Sequence, residues 1–184
     1  LNNLALIYKR QNRYDEAEPL YLRSLEIREA SFGSNHPKVS NTLNNLAMLY
    51  LDQKRYKEAR SILERALSIE EDHFGHDHIN VSIVLNNLAM LHISQEMYQN
   101  AEPLLERSYE LLKKAFGPED PRLSATLNNL ALLYFHQERF EKVETLYKLS
   151  LKMHEQTFGL QHPGSITSSS NLALLYEKLG KKSE

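Results

Sequence analysis

The segment Leu1-Asn2-Asn3-Leu4-Ala5 returns as Leu43-Asn44-Asn45-Leu46-Ala47, Leu85-Asn86-Asn87-Leu88-Ala89 and Leu127-Asn128-Asn129-Leu130-Ala131, each 42 residues after the last. A degenerate fifth copy is Ser169-Ser170-Asn171-Leu172-Ala173. A fixed period of this size marks one supersecondary unit stacked on itself, so the chain reads as an array and not as a globular enzyme domain. Stacked repeats share a continuous core, and a chain of 184 residues is long enough to build one.

One period supplies the architecture. Val39, Leu43, Leu46, Ala47 and Tyr50 fall on one helical face. After the polar turn Gln53-Lys54-Arg55 a second apolar stripe runs through Tyr56, Ala59, Leu63, Ala66, Leu67 and Ile69 to Phe74. Gly75 then reads as a left-handed cap, and glycines 33, 117 and 159 share its phase. Prolines 37, 121 and 163 sit just inside the next helix, where a missing N–H costs nothing. Pro19 and Pro103 fall in the second turn of a helix and are expected to remove one hydrogen bond and bend its start. The expected unit is an antiparallel helix pair of roughly 15 and 19 residues. The expected domain is a single array over 1–184, with repeats at about 1–36 (truncated), 37–78, 79–120, 121–162 and 163–184 (truncated).

Leu-Ala-x-x-Tyr in the first helix, an aromatic opening the second, and small residues along it resemble the tetratricopeptide repeat, whose usual period is about 34 residues. The loop Phe-Gly-x-x-His-Pro-x-Val and the phrase Glu-Ala-Glu-Pro-Leu-Tyr are similar to the kinesin-light-chain and nephrocystin-3-like subgroup. The resemblance covers essentially the whole chain. It implies an all-α fold, a right-handed α-solenoid whose first helices line a concave surface that takes protein or peptide segments. Likeness to kinesin light chains further implies extended cargo motifs mixing an aromatic with acidic residues. The carboxylate clamp of chaperone-binding tetratricopeptide domains is not expected, because Asn2, Asn44, Leu6 and Met48 hold the places where it needs Lys or Arg.

The residues point to that concave surface independently. On a wheel at about 100° per residue, the face opposite the core of the second repeat carries Asn41, Asn45, Met48 and Asp52. The equivalent sets are Asn3, Leu6 and Arg10; Ile83, Asn87, Met90 and Ser94; Ala125, Asn129, Leu132 and His136; and Thr167, Asn171, Leu174 and Lys178. Two columns emerge, an Asn and a large apolar residue. An amide carries both a donor and an acceptor and can pair with a ligand's backbone whatever its sequence, while Leu and the adaptable Met would take apolar side chains. The competing structural reading is that Asn bridges neighbouring helices and the apolar column is half covered by adjacent repeats. If the column faces solvent, Asn87→Ala should change stability by only about 0.5 kcal/mol. The charges along the groove, Arg10, Asp52, His136 and Lys178, are mixed in sign.

Other function classes find little purchase. A net charge of -2 with interspersed signs gives no case for nucleic acid, and no apolar run approaches the ~18 residues of a membrane helix. The absence of cysteine is compatible with a reducing compartment, and the expected location is cytoplasmic. No Gly-rich phosphate loop, nucleophile elbow or cysteine nucleophile is present, and His154-Glu155 lacks a second zinc-protease His because Phe158 holds that place. No enzyme activity and no cofactor is expected. The best metal candidate is the cluster His73, His76, Asp77 and His78, but His78 shares its slot with His36, Asp120 and His162, which suggests a residue that opens a helix. His92 stands where other repeats carry Tyr8, Tyr50, Tyr134 and Tyr176, and reads as a core or interface histidine.

Leu1 begins in mid-helix and Lys182 has the phase at which a further second helix would open. Neither end resembles the polar capping repeat that solenoids need, so a piece of a longer protein is expected, with end-to-end self-association of the uncapped ends as a corollary.

Overall fold

A computed structural model of the chain describes residues 1–180. Lys182, and with it the expected start of a further helix, lies outside them. The described residues form nine α-helices and one short 3-10 turn, with no strand. The chain divides into two compact units, Leu1–Gln95 and the part from Glu96 onward. The first holds α1 (Asn2–Arg10), α2 (Tyr14–Phe32), α3 (Pro37–Asp52), α4 (Tyr56–Phe74) and α5 (Ile79–Ser94). The second holds α6 (Tyr98–Phe116), the 3-10 turn Pro121–Leu123, α7 (Ser124–His136), α8 (Phe140–Phe158) and α9 (Pro163–Lys178). This is an all-helical α-solenoid fold in which each helix packs on its neighbour in sequence within its unit. First and second helices run to 16 and 19 residues in the second repeat. Helices α2 and α6 continue through Pro19 and Pro103.

The repeated alanines explain the close packing. Ala5, Ala47, Ala89 and Ala131 of the first helices and Ala17, Ala59 and Ala101 of the second are fully buried. A methyl at each crossing lets neighbouring helices approach while Leu43, Leu46, Leu63 and Leu85 fill the space around them. The core is therefore a strip between consecutive helices, repeated along each unit.

Helix boundaries follow a shared rule. His36, His78 and His162 each accept, through Nδ1, the backbone N–H two residues on, at 3.1, 3.2 and 3.1 Å. Asp120 does the same through Oδ1 at 2.9 Å. These four are N-caps, each satisfying an otherwise orphaned donor. Arg122 also donates to the Asp120 carboxylate, and this hydrogen bond is the first cause that pulls the carboxyl down to about 2.

First helices end in a defined turn. Arg55 N–H donates to Tyr50 C=O at 2.8 Å and Lys54 N–H to Leu51 C=O at 2.9 Å, which together make a Schellman motif. Its left-handed residue is not glycine: Asn12, Lys54, Glu96 and Glu138 lie at φ 58–59°, and only the fifth position of that phase is Gly180, at φ 65°. The second helices end on Gly33, Gly75, Gly117 and Gly159 with φ of 85–91° but ψ of 155–170°, so these glycines do not form the left-handed cap expected of them. They occupy the extended region at positive φ that essentially only glycine reaches.

Candidate functional site: the inner face of the first helices

The Schellman turn positions a recurring side-chain cluster behind the inner face. The guanidinium of Arg55 lies 4.0 Å from the Tyr50 ring centre and donates to Glu18 at 2.8 Å, while Tyr50 Oη donates to the same carboxylate at 2.9 Å. In the second unit Arg139 lies 4.3 Å from the Tyr134 ring and 2.8 Å from Glu102. Burial, then the Glu102 charge, pushes the Tyr134 phenol up to about 12. Tyr176 Oη donates to Glu144 at 2.9 Å. The cluster locks the C-terminal end of a first helix to the preceding second helix.

One set of slots departs from this. The positions of Glu18, Tyr50 and Arg55 are taken, 42 residues later, by Arg60, His92 and Met97. Arg60 turns to Gln95 at 3.0 Å, and the buried Nδ1 of His92 has no hydrogen-bond partner among the described residues. Burial lowers the His92 pKa, nearby Arg60 adds to this, and Glu64 opposes it. A depressed histidine pKa stabilises the fold above the unfolded value of 6.5, and that contribution is lost as pH falls through the lower folded value. Thermal melts are therefore expected to drop on acidification below about pH 6.5, and His92→Tyr to flatten that slope. Identical slopes in both proteins would contradict it.

The residues of the two columns differ in exposure. In the first unit Leu6, Met48 and Met90 are half-buried, as are Asn45 and Asn87, while Asn3, Asn41 and Asp52 are exposed. In the second unit Asn129, Leu132 and Asn171 are half-buried and Leu174 is 63% exposed. Helices α7 and α9 bring Leu132, Asn171, Leu174 and Lys178 together around a cleft of about 240 Å³. Phe135, Tyr147 and Leu175 complete its lining. The wheel overlooked Phe135 because its slot holds Lys9, Leu51 and Ile93 in earlier repeats, so no periodic signal marks it.

The polar and charged residues of these columns are partly engaged. Lys9 pairs with Asp52 at 2.8 Å, and Ser94 Oγ donates to Met90 C=O at 2.9 Å. Lys178 Nζ sits 4.2 Å from the Phe135 ring centre, and His136 stacks on Tyr98 at 5.5 Å. Arg10 lies at the end of α1. The first helices thus offer amides, apolar side chains and a few cations, and the contact of Ser124 Oγ with His154 Nδ1 at 3.4 Å is buried between α7 and α8.

The Asn columns divide. Asn44, behind the inner face and 7% exposed, donates through Nδ2 to Ser40 C=O at 3.1 Å and accepts from Asn87 Nδ2 at 3.0 Å. At Asn87 the bridging role holds, and the effect of about 0.5 kcal/mol expected for a solvent-facing Asn87 is too small. Truncation would leave the Asn44 oxygen buried without a donor, so a loss of about 1–3 kcal/mol is expected for Asn87→Ala in urea melts. Asn45→Ala should stay within about 0.5 kcal/mol, since no hydrogen bond among the described residues fixes Asn45.

The histidine-rich turn does not build a chelate. His78 Nδ1 is spent as an N-cap, His73 packs edge-on against Phe74 at 4.5 Å, and His76 faces Glu71 at 3.1 Å. Among the described residues no three His, Cys, Asp or Glu converge on a metal position, and no described helix is long and apolar enough to cross a membrane.

Known proteins with this architecture fit what the residues show. The Tetratricopeptide repeat family model matches residues 1–72, 40–114, 80–156 and 122–184. A crystal structure of BtubC (BKLC) from P. vanneervenii aligns with a TM-score of 0.79 at 23% identity, over 96% of this chain and 70% of that one. A Podosopora anserina putative kinesin light chain with nearly identical TPR-like repeats aligns at 0.76 and 23% identity, over 97% and 85% of the two chains. A point variant of that protein aligns at 0.77 and 23%, over 97% and 84%. No curated protein matches the sequence. The structural likeness is one of fold, and tetratricopeptide folds generally serve as protein-interaction scaffolds. With the repeat model matching from the first residue to the last, the chain belongs to the tetratricopeptide repeat family.

Proposed function

We propose that this chain is an adaptor whose biochemical act is to hold an extended or helical segment of a partner protein against the inner face of its first helices. The observation that carries the reading is the pairing, in both units, of a half-buried amide with a half-buried or exposed Leu or Met on the face opposite the core. Core packing does not require a large apolar side chain there, and such a face gives a peptide both backbone and side-chain partners. The reading involves no catalysis, cofactor or nucleic acid, and puts the scaffold in the cytoplasm.

A random linear peptide library panned on the chain tests it, with a Met48→Glu/Leu132→Glu double variant as the comparison. Both side chains are half-buried, so the variant's fold is checked by circular dichroism. Enriched peptides that bind the wild type and not the folded variant support the reading. Enrichment that survives the variant would move the site elsewhere. Exposed Leu4 and Ile7 on α1 favour a second reading, self-association, which predicts a concentration-dependent mass by light scattering.

A further inference from the structure

The amide of Asn44 has only one chemically allowed orientation. The atom 3.1 Å from Ser40 C=O must be its NH2, because a carbonyl oxygen only accepts. Its Oδ1 therefore faces Asn87, and Asn87 must present its own NH2 at 3.0 Å. One N–H of Asn87 is spent in this bond. Its Oδ1 has no partner among the described residues and keeps both lone pairs. An unrestrained asparagine could offer either end to a ligand, but Asn87 cannot flip without leaving the Asn44 oxygen, in a side chain only 7% exposed, without its donor.

We propose that Asn44 is a positioning residue that locks Asn87 with its oxygen outward, so that the inner face of α5 grips a peptide by one backbone N–H. The inference rests on the groove reading above and sharpens it: the ligand residue at this register must carry an N–H, which excludes proline there. The arrangement is not shared by every repeat. Among the described residues, Oδ1 of Asn2 and of Asn128, the equivalents of Asn44, are buried without a partner, and no such bond fixes Asn45 or Asn171. Asn87 thereby sets the register of a bound segment, whereas Asn45 and Asn171 adapt to it.

The experiment uses the tightest peptide panned on the wild-type chain, resynthesised with each backbone N–H methylated in turn. Its affinity is measured against wild type, Asn87→Ala, Asn44→Leu and Asn44→Asp, with circular dichroism confirming the fold of each. One methylation is expected to weaken wild-type binding about tenfold, the size of one hydrogen bond to a fixed partner. That penalty should vanish in Asn87→Ala and in Asn44→Leu, and return in Asn44→Asp, which restores an oxygen facing Asn87. A purely structural Asn44 would lower all affinities alike and leave the position-specific penalty intact, which overturns the proposal. A penalty that persists in Asn87→Ala at every position overturns it as well, while sensitivity to Met48→Glu would leave the groove reading standing. If Asn44→Leu does not fold, Asn44→Ala takes its place, because it also removes the oxygen facing Asn87 and the methylation penalty is a ratio within each variant. A library that yields no peptide overturns the groove reading and this proposal together.

Discussion

Replacing Leu46 with alanine is expected to lower the unfolding free energy by about 2–5 kcal/mol. Leu46 is 1% exposed on α3 and belongs to the repeated Leu-Asn-Asn-Leu-Ala segment. Truncating it gives up the transfer energy of the side chain and leaves a cavity that helices held in register by Ala47 and Leu63 cannot collapse to fill. In a solenoid each repeat is stabilised by its neighbours, so damage at α3 weakens both flanking pairs. The same substitution at Leu4 is an internal control: it has the same slot in α1 but is 44% exposed, and should cost about 1 kcal/mol or less. Urea unfolding of the two variants decides the matter, and equal losses would show that the packing strip does not carry the stability.

The second large effect has the opposite sign. Glu70 is 3% exposed, and its buried Oε2 has no hydrogen-bond partner among the described residues. A carboxylate oxygen taken out of water without a donor opposes folding by about 1–3 kcal/mol, and exchange of Glu70 for an apolar residue of similar volume removes that cost. The chain supplies the replacement itself, since the corresponding slots hold Arg28, Leu112 and His154. Glu70→Leu is therefore expected to raise the urea midpoint with an unchanged m-value. A lower midpoint would mean that Glu70 has a partner that holds it in place.

The fold was legible because four copies of one phrase vote on each position. Periodic Leu, Ala and Tyr place the core strip, proline and histidine place the helix starts, and the polar turn Gln53-Lys54-Arg55 places the reversal. What the sequence concealed was pairing between positions. Ser108 and Thr126 face each other at 3.5 Å, and Ser150 meets Ser168 at 2.9 Å. The equivalent slots carry Ala66 and Val84, so the polar contact is exchanged for an apolar one as a pair. No single column reveals that exchange. Likewise the glycines were visible as breaks, but the left-handed conformation falls on Lys54 and Glu138, residues that carry no propensity for it. The candidate site was half legible. The wheel separated the two columns from the core, yet it treated all five asparagines as equivalent, whereas the bond from Asn87 to Asn44 marks a fixed amide and Asn45 has no such bond.

The gap between His154 and Gly164 makes the same point. A Cβ at residue 164 would come within 2.3 Å of the His154 ring. Lys38, Asn80 and Arg122 hold the corresponding slot elsewhere, so this glycine answers to a partner on the preceding helix rather than to its own backbone.

The central claim, that a partner segment binds the inner face of the first helices, is tested most directly by the methyl resonances of the methionines. The chain has four: Met48 and Met90 in the inner column, Met97 outside it, and Met153 fully buried in α8. Labelled methyl groups titrated with a panned peptide should shift at Met48 and Met90, with Met153 unmoved. Shifts at Met97 alone, or saturable binding that leaves Met48 and Met90 unchanged, would contradict the account.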